Sequence, residues 1–159
     1  LLLEIEPGRY LAAESGYLIA EIRAVKRQGE NTFYLLDAGF NNLARPILYG
    51  AYHPISLAAD GAAAERGELD VVVGGPLCES GDIFTQSEGG FIAPRRLPEA
   101  KVGEFLVIEC AGAYGFAMSS NYNSKPLAAE VLIDSARPHL IRRRQTFEDM
   151  VRGEEIPQA

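Results

Sequence analysis

The chain has 159 residues, 47% hydrophobic and 23% charged, and a net charge of −7. That is long enough for a sizeable core, and the acidic balance argues against sequence-independent nucleic-acid binding. Two cysteines are too few for a disulfide framework, no apolar run approaches a membrane span, and no basic leader precedes Leu1-Leu2-Leu3, so a reduced cytoplasmic protein is expected.

Leu1-Leu2-Leu3-Glu4-Ile5 reads as a buried strand ending at the turn Glu6-Pro7-Gly8-Arg9, with a helix-like stretch from Tyr10 to Gly16. Strand, turn and helix resemble one unit of a β/α repeat whose other units lie outside the chain, so residues 1–17 are expected to be the end of a β/α barrel and residues 18–159 a separate β domain. In that second part, 18–25 and 32–37 have strand composition around the turn-like Gln28-Gly29-Glu30-Asn31 and predict a hairpin. Pro46 suits the first turn of a helix, which puts Arg45 and Tyr49 on one face. Further strands are predicted at 54–58, 69–74, 83–85, 105–110, 128–134 and 138–143, with an Ala/Gly-rich connection over 60–68. Thr146, with Asp149 three residues on, predicts a capped final helix that Gly153 ends. The expected fold is mainly β: an antiparallel sandwich or barrel with short helices, preceded by the last strand-helix unit of a β/α barrel.

Four segments carry chemistry. In Glu6-Pro7-Gly8-Arg9, Gly8 allows close backbone approach to an anion and Arg9 can bind a phosphate or carboxylate in two-pronged fashion; from the spacing alone a tight β/α turn with an exposed salt bridge is the simpler reading. Arg45 and Tyr49 could hold a carboxylate, or form a surface turn with a half-buried ring. Gly75-Pro76-Leu77-Cys78-Glu79-Ser80-Gly81-Asp82 follows an apolar strand and presents a possible proton donor, a cation-binding carboxylate and a supporting carboxylate, or else an incidental loop cysteine. Tyr114, between Gly112 and Gly115, suits contact with a ligand or simple packing. Cys110 reads as a core thiol, and Arg142-Arg143-Arg144 as a solvated or ion-paired face. His53 and His139 are too isolated for a metal site, and the cysteines lack zinc spacing.

Together with Asp37-Ala38-Gly39-Phe40-Asn41 and Ser120-Asn121-Tyr122-Asn123-Ser124-Lys125-Pro126, these motifs resemble, in order and spacing, the C-terminal half of the pyridoxal-phosphate-dependent ornithine/diaminopimelate/arginine decarboxylases. Cys-Glu-Ser-Gly-Asp is similar to the diaminopimelate branch; the ornithine branch has aspartate directly after the cysteine. The resemblance implies that Glu6, Pro7, Gly8, Arg9 and Tyr114 meet pyridoxal 5'-phosphate, with Glu6 opposite the ring nitrogen. It implies that Arg9, Arg45, Tyr49, Glu79 and Tyr114 bind meso-diaminopimelate, and that Cys78 protonates the α-carbon once carbon dioxide has left. It also implies a homodimer in which the Cys78 loop serves the partner's site. The family's cofactor lysine, stacking histidine and phosphate loop lie on earlier barrel strands, and Lys26, Lys101 and Lys125 match none of these, so the chain alone is expected to be inactive. An ornithine- or arginine-type decarboxylase, or a non-catalytic β module for dimerisation or binding, are the alternatives.

Overall fold

The computed structural model describes residues 1–58 and 66–158, so most of the connection expected over 60–68 lies outside the described residues. The chain divides into two compact units, residues 1–119 and 120–159.

The first unit is built on six strands: β1 (Leu18–Gln28), β2 (Asn31–Leu36), β3 (Ile55–Ala58), β4 (Glu68–Gly74), β5 (Arg95–Pro98) and β6 (Phe105–Ile108). They form one sheet in the order β3-β6-β1-β2-β4-β5. The expected hairpin is β1–β2, whose Gln28 and Asn31 pair across a two-residue turn with Gly29 at φ +60°. The expected antiparallel arrangement holds for the named strand pairs except β2–β4, which run parallel. A hairpin cannot join parallel strands, and the long crossover from residue 37 to residue 67 does so here. Val71, Val72 and Val73 are fully buried, as a strand covered on both faces requires. The core gathers Ile22, Tyr34, Leu36, Leu43, Phe84, Leu97, Leu106 and Ile108 with Val71 and Val73.

Three expectations are corrected. Residues 1–7 form no regular element, and Leu1, Leu2, Leu3 and Ile5 are exposed: an apolar run becomes a buried strand only beside other strands, and among the described residues none pairs with it. Helix α1 (Gly8–Ala12) therefore starts the ordered structure. Residues 83–85 supply only an isolated bridge, Gly74 to Ile83, whereas β5 is a strand that the sequence pattern did not mark. The sixth strand stops at Ile108, leaving Cys110 half-buried at φ +57° instead of within the core.

The segment holding α1 is stitched to the loop after β6. Ala111 N–H donates to Gly16 O at 2.8 Å and Gly112 N–H to Ala13 O at 3.0 Å. The backbones meet so closely that a Cβ on Gly16 would lie 2.6 Å from the Gly112 Cα, and one on Gly112 would strike Ala12 O.

The second unit is a two-stranded hairpin, β7 (Glu130–Asp134) and β8 (Arg137–Arg142), followed by α3 (Phe147–Met150). Thr146 and Asp149 form the expected capping box, and Arg143 grips Asp149 with two N–H groups, holding that carboxyl well below the usual range. Arg142 pairs with Glu130, so two of the three arginines of the basic run are ion-paired, in keeping with the expected solvated or ion-paired face.

Gly112→Ala is expected to destabilise the first unit by about 1–3 kcal/mol through overpacking, read as a lower denaturant midpoint, with the segment before Gly16 becoming the first site of proteolysis.

Candidate active site

Because β2 and β4 run parallel, the loops that follow them leave from the same end of the sheet. Asp82 joins the two. One carboxylate oxygen accepts the N–H of Phe40 and the other that of Leu77, both at 2.8 Å. The same carboxylate fills the space a side chain would need at Gly39 and Gly75: a Cβ on Gly39 would sit 2.8 Å from either oxygen, and one on Gly75 would collide with it. Asp82 is 4% exposed. Burial pushes its carboxyl up, the two N–H bonds pull it back, and the charge of Glu79 pushes it up again.

From the first loop the chain turns through Gly39 and Asn42 into α2 (Arg45–Tyr49), with Pro46 in its first turn and Gly50 closing it at φ +58°. The Arg45 guanidinium lies 5.3 Å from the centre of the Tyr49 ring and 5.5 Å from that of Tyr114. Tyr114 reaches it by adopting φ +62°, a conformation that costs a non-glycine residue about 1–3 kcal/mol and that the tight Ala111–Gly115 loop imposes. Arg45 is half-buried, and among the described residues no carboxylate pairs with it. A half-buried guanidinium flanked by two tyrosines, with no carboxylate paired to it among the described residues, is suited to a ligand's carboxylate.

Arg9 is exposed on α1, and no ion pair engages it or Glu6 among the described residues. A Cβ on Gly8 would meet nothing within 4 Å, so no packing in this chain demands glycine there. The Gly8 N–H, however, donates to Glu6 O at 2.9 Å. That amide is therefore already engaged within the turn, and Gly8 leaves open space beside the exposed Arg9.

The second loop carries Cys78 and Glu79. Cys78 is an exposed free thiol. Glu79 accepts from Ser80 Oγ at 3.2 Å and Gly81 N–H at 3.4 Å. Gly81 packs on Ile47 of α2: a Cβ there would lie 2.6 Å from Ile47 Cδ1. Ile47 is two residues from both Arg45 and Tyr49, roughly 200° around the helix. The Cys78 loop thus meets the face of α2 opposite the Arg45–Tyr49 face. Ring contacts bring Arg45, Tyr49 and Tyr114 together, while the loop that carries Cys78 and Glu79 packs through Gly81 on the other face of α2.

The sequence marks His53 only as too isolated for a metal site. It lies between α2 and β3, 5% exposed, with Nδ1 2.9 Å from Glu109 O. Its Nε2 is buried without a partner. Burial lowers its pKa from 6.5, the bond to Glu109 opposes this, and the charges of Arg45 and Arg9 lower it further. A cleft of about 460 Å³ lined in part by Lys26, Arg66 and Glu99 contains none of these residues.

A family model described as pyridoxal-dependent decarboxylase, C-terminal sheet domain, matches residues 9–112. The chain belongs to this family of decarboxylases, as its sheet domain. Diaminopimelate decarboxylase of Escherichia coli (strain K12) is 58% identical over 151 residues, which are 94% of this chain and 36% of that protein. A crystal structure of diaminopimelate decarboxylase superposes with TM-score 0.88 at 53% identity, covering 91% of this chain and 35% of that one. That of M. jannaschii diaminopimelate decarboxylase in co-complex with L-lysine gives TM-score 0.83 at 33% identity, over 94% of this chain and 32% of that one. The chain therefore spans about a third of the length of the relatives it matches.

Two outcomes test this geometry. Asp82→Ala leaves two buried N–H groups without acceptors and is expected to destabilise the protein by about 2–4 kcal/mol in urea unfolding, with Asp82→Asn losing less. For His53 the folded pKa lies below 6.5, so the unfolded chain binds more protons between the two values. Its contribution is fully present above pH 6.5 and declines as the pH falls through the folded value; His53→Asn is expected to flatten that part of the stability–pH curve.

Proposed function

We propose that the chain is the C-terminal part of a decarboxylase that converts meso-diaminopimelate to lysine and carbon dioxide, a step of lysine biosynthesis, in the cytoplasm. The observation that carries this reading is Arg45, a half-buried guanidinium without a counter-ion between the rings of Tyr49 and Tyr114. Relatives named diaminopimelate decarboxylase support the choice of substrate. Residues 1–17 serve as the end of a β/α barrel, and residues 18–159 as the β domain that completes the site.

The residues fit pyridoxal phosphate. Glu6 has no ion-pair partner and can face a protonated ring nitrogen, Gly8 leaves open space, and Arg9 offers its guanidinium to the phosphate, with Tyr114 beside the ring. When bound, the cofactor supplies the electron sink that lets the α-carbon release carbon dioxide. The chain's own residues do the rest. Arg45 and Tyr49 hold the distal carboxylate, Arg9 assists, and Glu79 takes the distal ammonium. Lysine, lacking that carboxylate, leaves the guanidinium unpaired and is disfavoured as a ligand at the distal end. Cys78 gives its thiol proton to the α-carbon and recovers one from solvent.

Gly81, three residues past Cys78, meets the face of α2 opposite the one that Arg45 and Tyr49 share, which supports a reading in which one chain does not present both groups to a single substrate. A homodimer, in which each Cys78–Glu79 loop serves the partner's arginine group, resolves this.

The assay joins this chain to the remainder of the E. coli relative, in place of the stretch it matches, and follows carbon dioxide release. Turnover of meso-diaminopimelate is expected from the joined enzyme and none from the chain alone with cofactor. Cys78→Ala should lower kcat by about 10²–10⁴-fold with a small change in KM, as loss of a general acid does. Glu79→Gln should act mainly on KM. Preference for ornithine over diaminopimelate contradicts the substrate assignment.

A further inference from the structure

Gln86 is 4% exposed, and its side chain turns back onto the loop that carries Cys78 and Glu79. Its Nε2 lies 3.1 Å from Gly81 O and 2.6 Å from Ile83 O. A carbonyl only accepts, so the amide nitrogen faces the loop and gives one hydrogen to each. These two carbonyls flank Asp82, whose own carboxylate fastens the other end of the loop at Leu77. The base of this strut is firm. Thr85 Oγ1 accepts the Val73 N–H at 3.0 Å, Thr85 O accepts the Ala93 N–H at 2.8 Å, and Gln86 itself bridges Ile92.

Gly81 is where the loop most needs such a hold, because glycine has the most backbone freedom to lose. Its carbonyl also takes the Ile83 N–H at 2.7 Å, so both lone pairs are engaged. Its own N–H and the neighbouring Ser80 Oγ are donors to Glu79 Oε1. We infer that Gln86 is a positioning residue, which pins the Gly81 carbonyl so that Ser80 and Gly81 keep the Glu79 carboxylate aimed at the substrate's distal ammonium. This role rests on the reading of Glu79 as the receptor for that ammonium. The two ends of the loop are then held separately: Asp82 holds the Cys78 end and Gln86 the Glu79 end.

Gln86→Met in the joined enzyme removes both donors and keeps the length of the side chain. It should raise KM for meso-diaminopimelate about threefold to tenfold, with kcat within about twofold. Gln86→Asn keeps the amide one methylene short and should raise KM less; it carries the same test where Gln86→Met does not fold. Added to Glu79→Gln, Gln86→Met should raise KM little further, since both changes act on one contact. Thr85→Val removes the neighbouring buried bond to Val73 without touching the loop, and should lower Tm while leaving KM unchanged. A KM unchanged in Gln86→Met, or raised as much by Thr85→Val, overturns the inference, as does a full additive rise on top of Glu79→Gln. Hydrogen exchange of the joined enzyme needs no turnover: residues 79–83 should exchange faster in Gln86→Met, with residues 18–36 unaffected. Unchanged exchange over 79–83 overturns the strut. Faster exchange there, in an enzyme that prefers another substrate or whose KM ignores Glu79→Gln, instead overturns the reading of Glu79.

Discussion

Both halves of the candidate site hang from one buried carboxylate. Asp82 accepts the N–H groups of Phe40 and Leu77 and occupies the space that side chains at Gly39 and Gly75 would need. The parallel pairing of β2 and β4 brings the two loops to one end of the sheet, and Asp82 locks them together there. One loop leads to α2 and Arg45, the other contains Cys78. Burial works against ionisation of this group, and two amide donors offset the cost. A carboxylate in that balance holds two loops at a defined spacing where an apolar residue of similar size would leave both amides unpaired.

That spacing has a consequence for assembly. Gly81 lies on Ile47, so the Cys78 loop is held against α2 on the side away from Arg45 and Tyr49. With the proposed roles, a proton donor in the Cys78 loop and a carboxylate receptor at Arg45, set on opposite faces of α2, would not close on one small substrate by rotating side chains. Two copies related by a two-fold axis can, because the axis carries each loop to the other copy's arginine face. In the proposed dimer, the arginine face selects the far end of the substrate and the loop supplies the proton and the ammonium contact.

Much of this was legible in the residues. Gly29 marked the β1–β2 turn, Pro46 the start of α2, and Thr146 with Asp149 the cap of α3, because each acts through local backbone geometry. The Cys78 loop and the Arg45/Tyr49 spacing were legible for the same reason. What escaped depends on distant partners. Residues 1–5 have strand composition but no strand beside them among those described. The β5 strand, Arg-Arg-Leu-Pro, has no alternation to announce it and exists through pairing with β4. Asp82 read as a supporting carboxylate, but its bond to Phe40 spans 42 residues. His53 gave no local signal: its burial depends on its bond to Glu109, 56 residues on. The left-handed Tyr114 likewise follows from loop closure, which composition does not reveal.

Subunit mixing tests the division of the site most directly. Two joined enzymes, one carrying Cys78→Ala and the other Arg45→Ala, are each nearly inactive, and are unfolded and refolded together in equal amounts. If each loop serves its partner, half the dimers are mixed and one site in each is intact, so turnover returns to about a quarter of the unsubstituted level. Turnover that stays at the level of the separate variants, with mixed dimers demonstrably formed, contradicts the account.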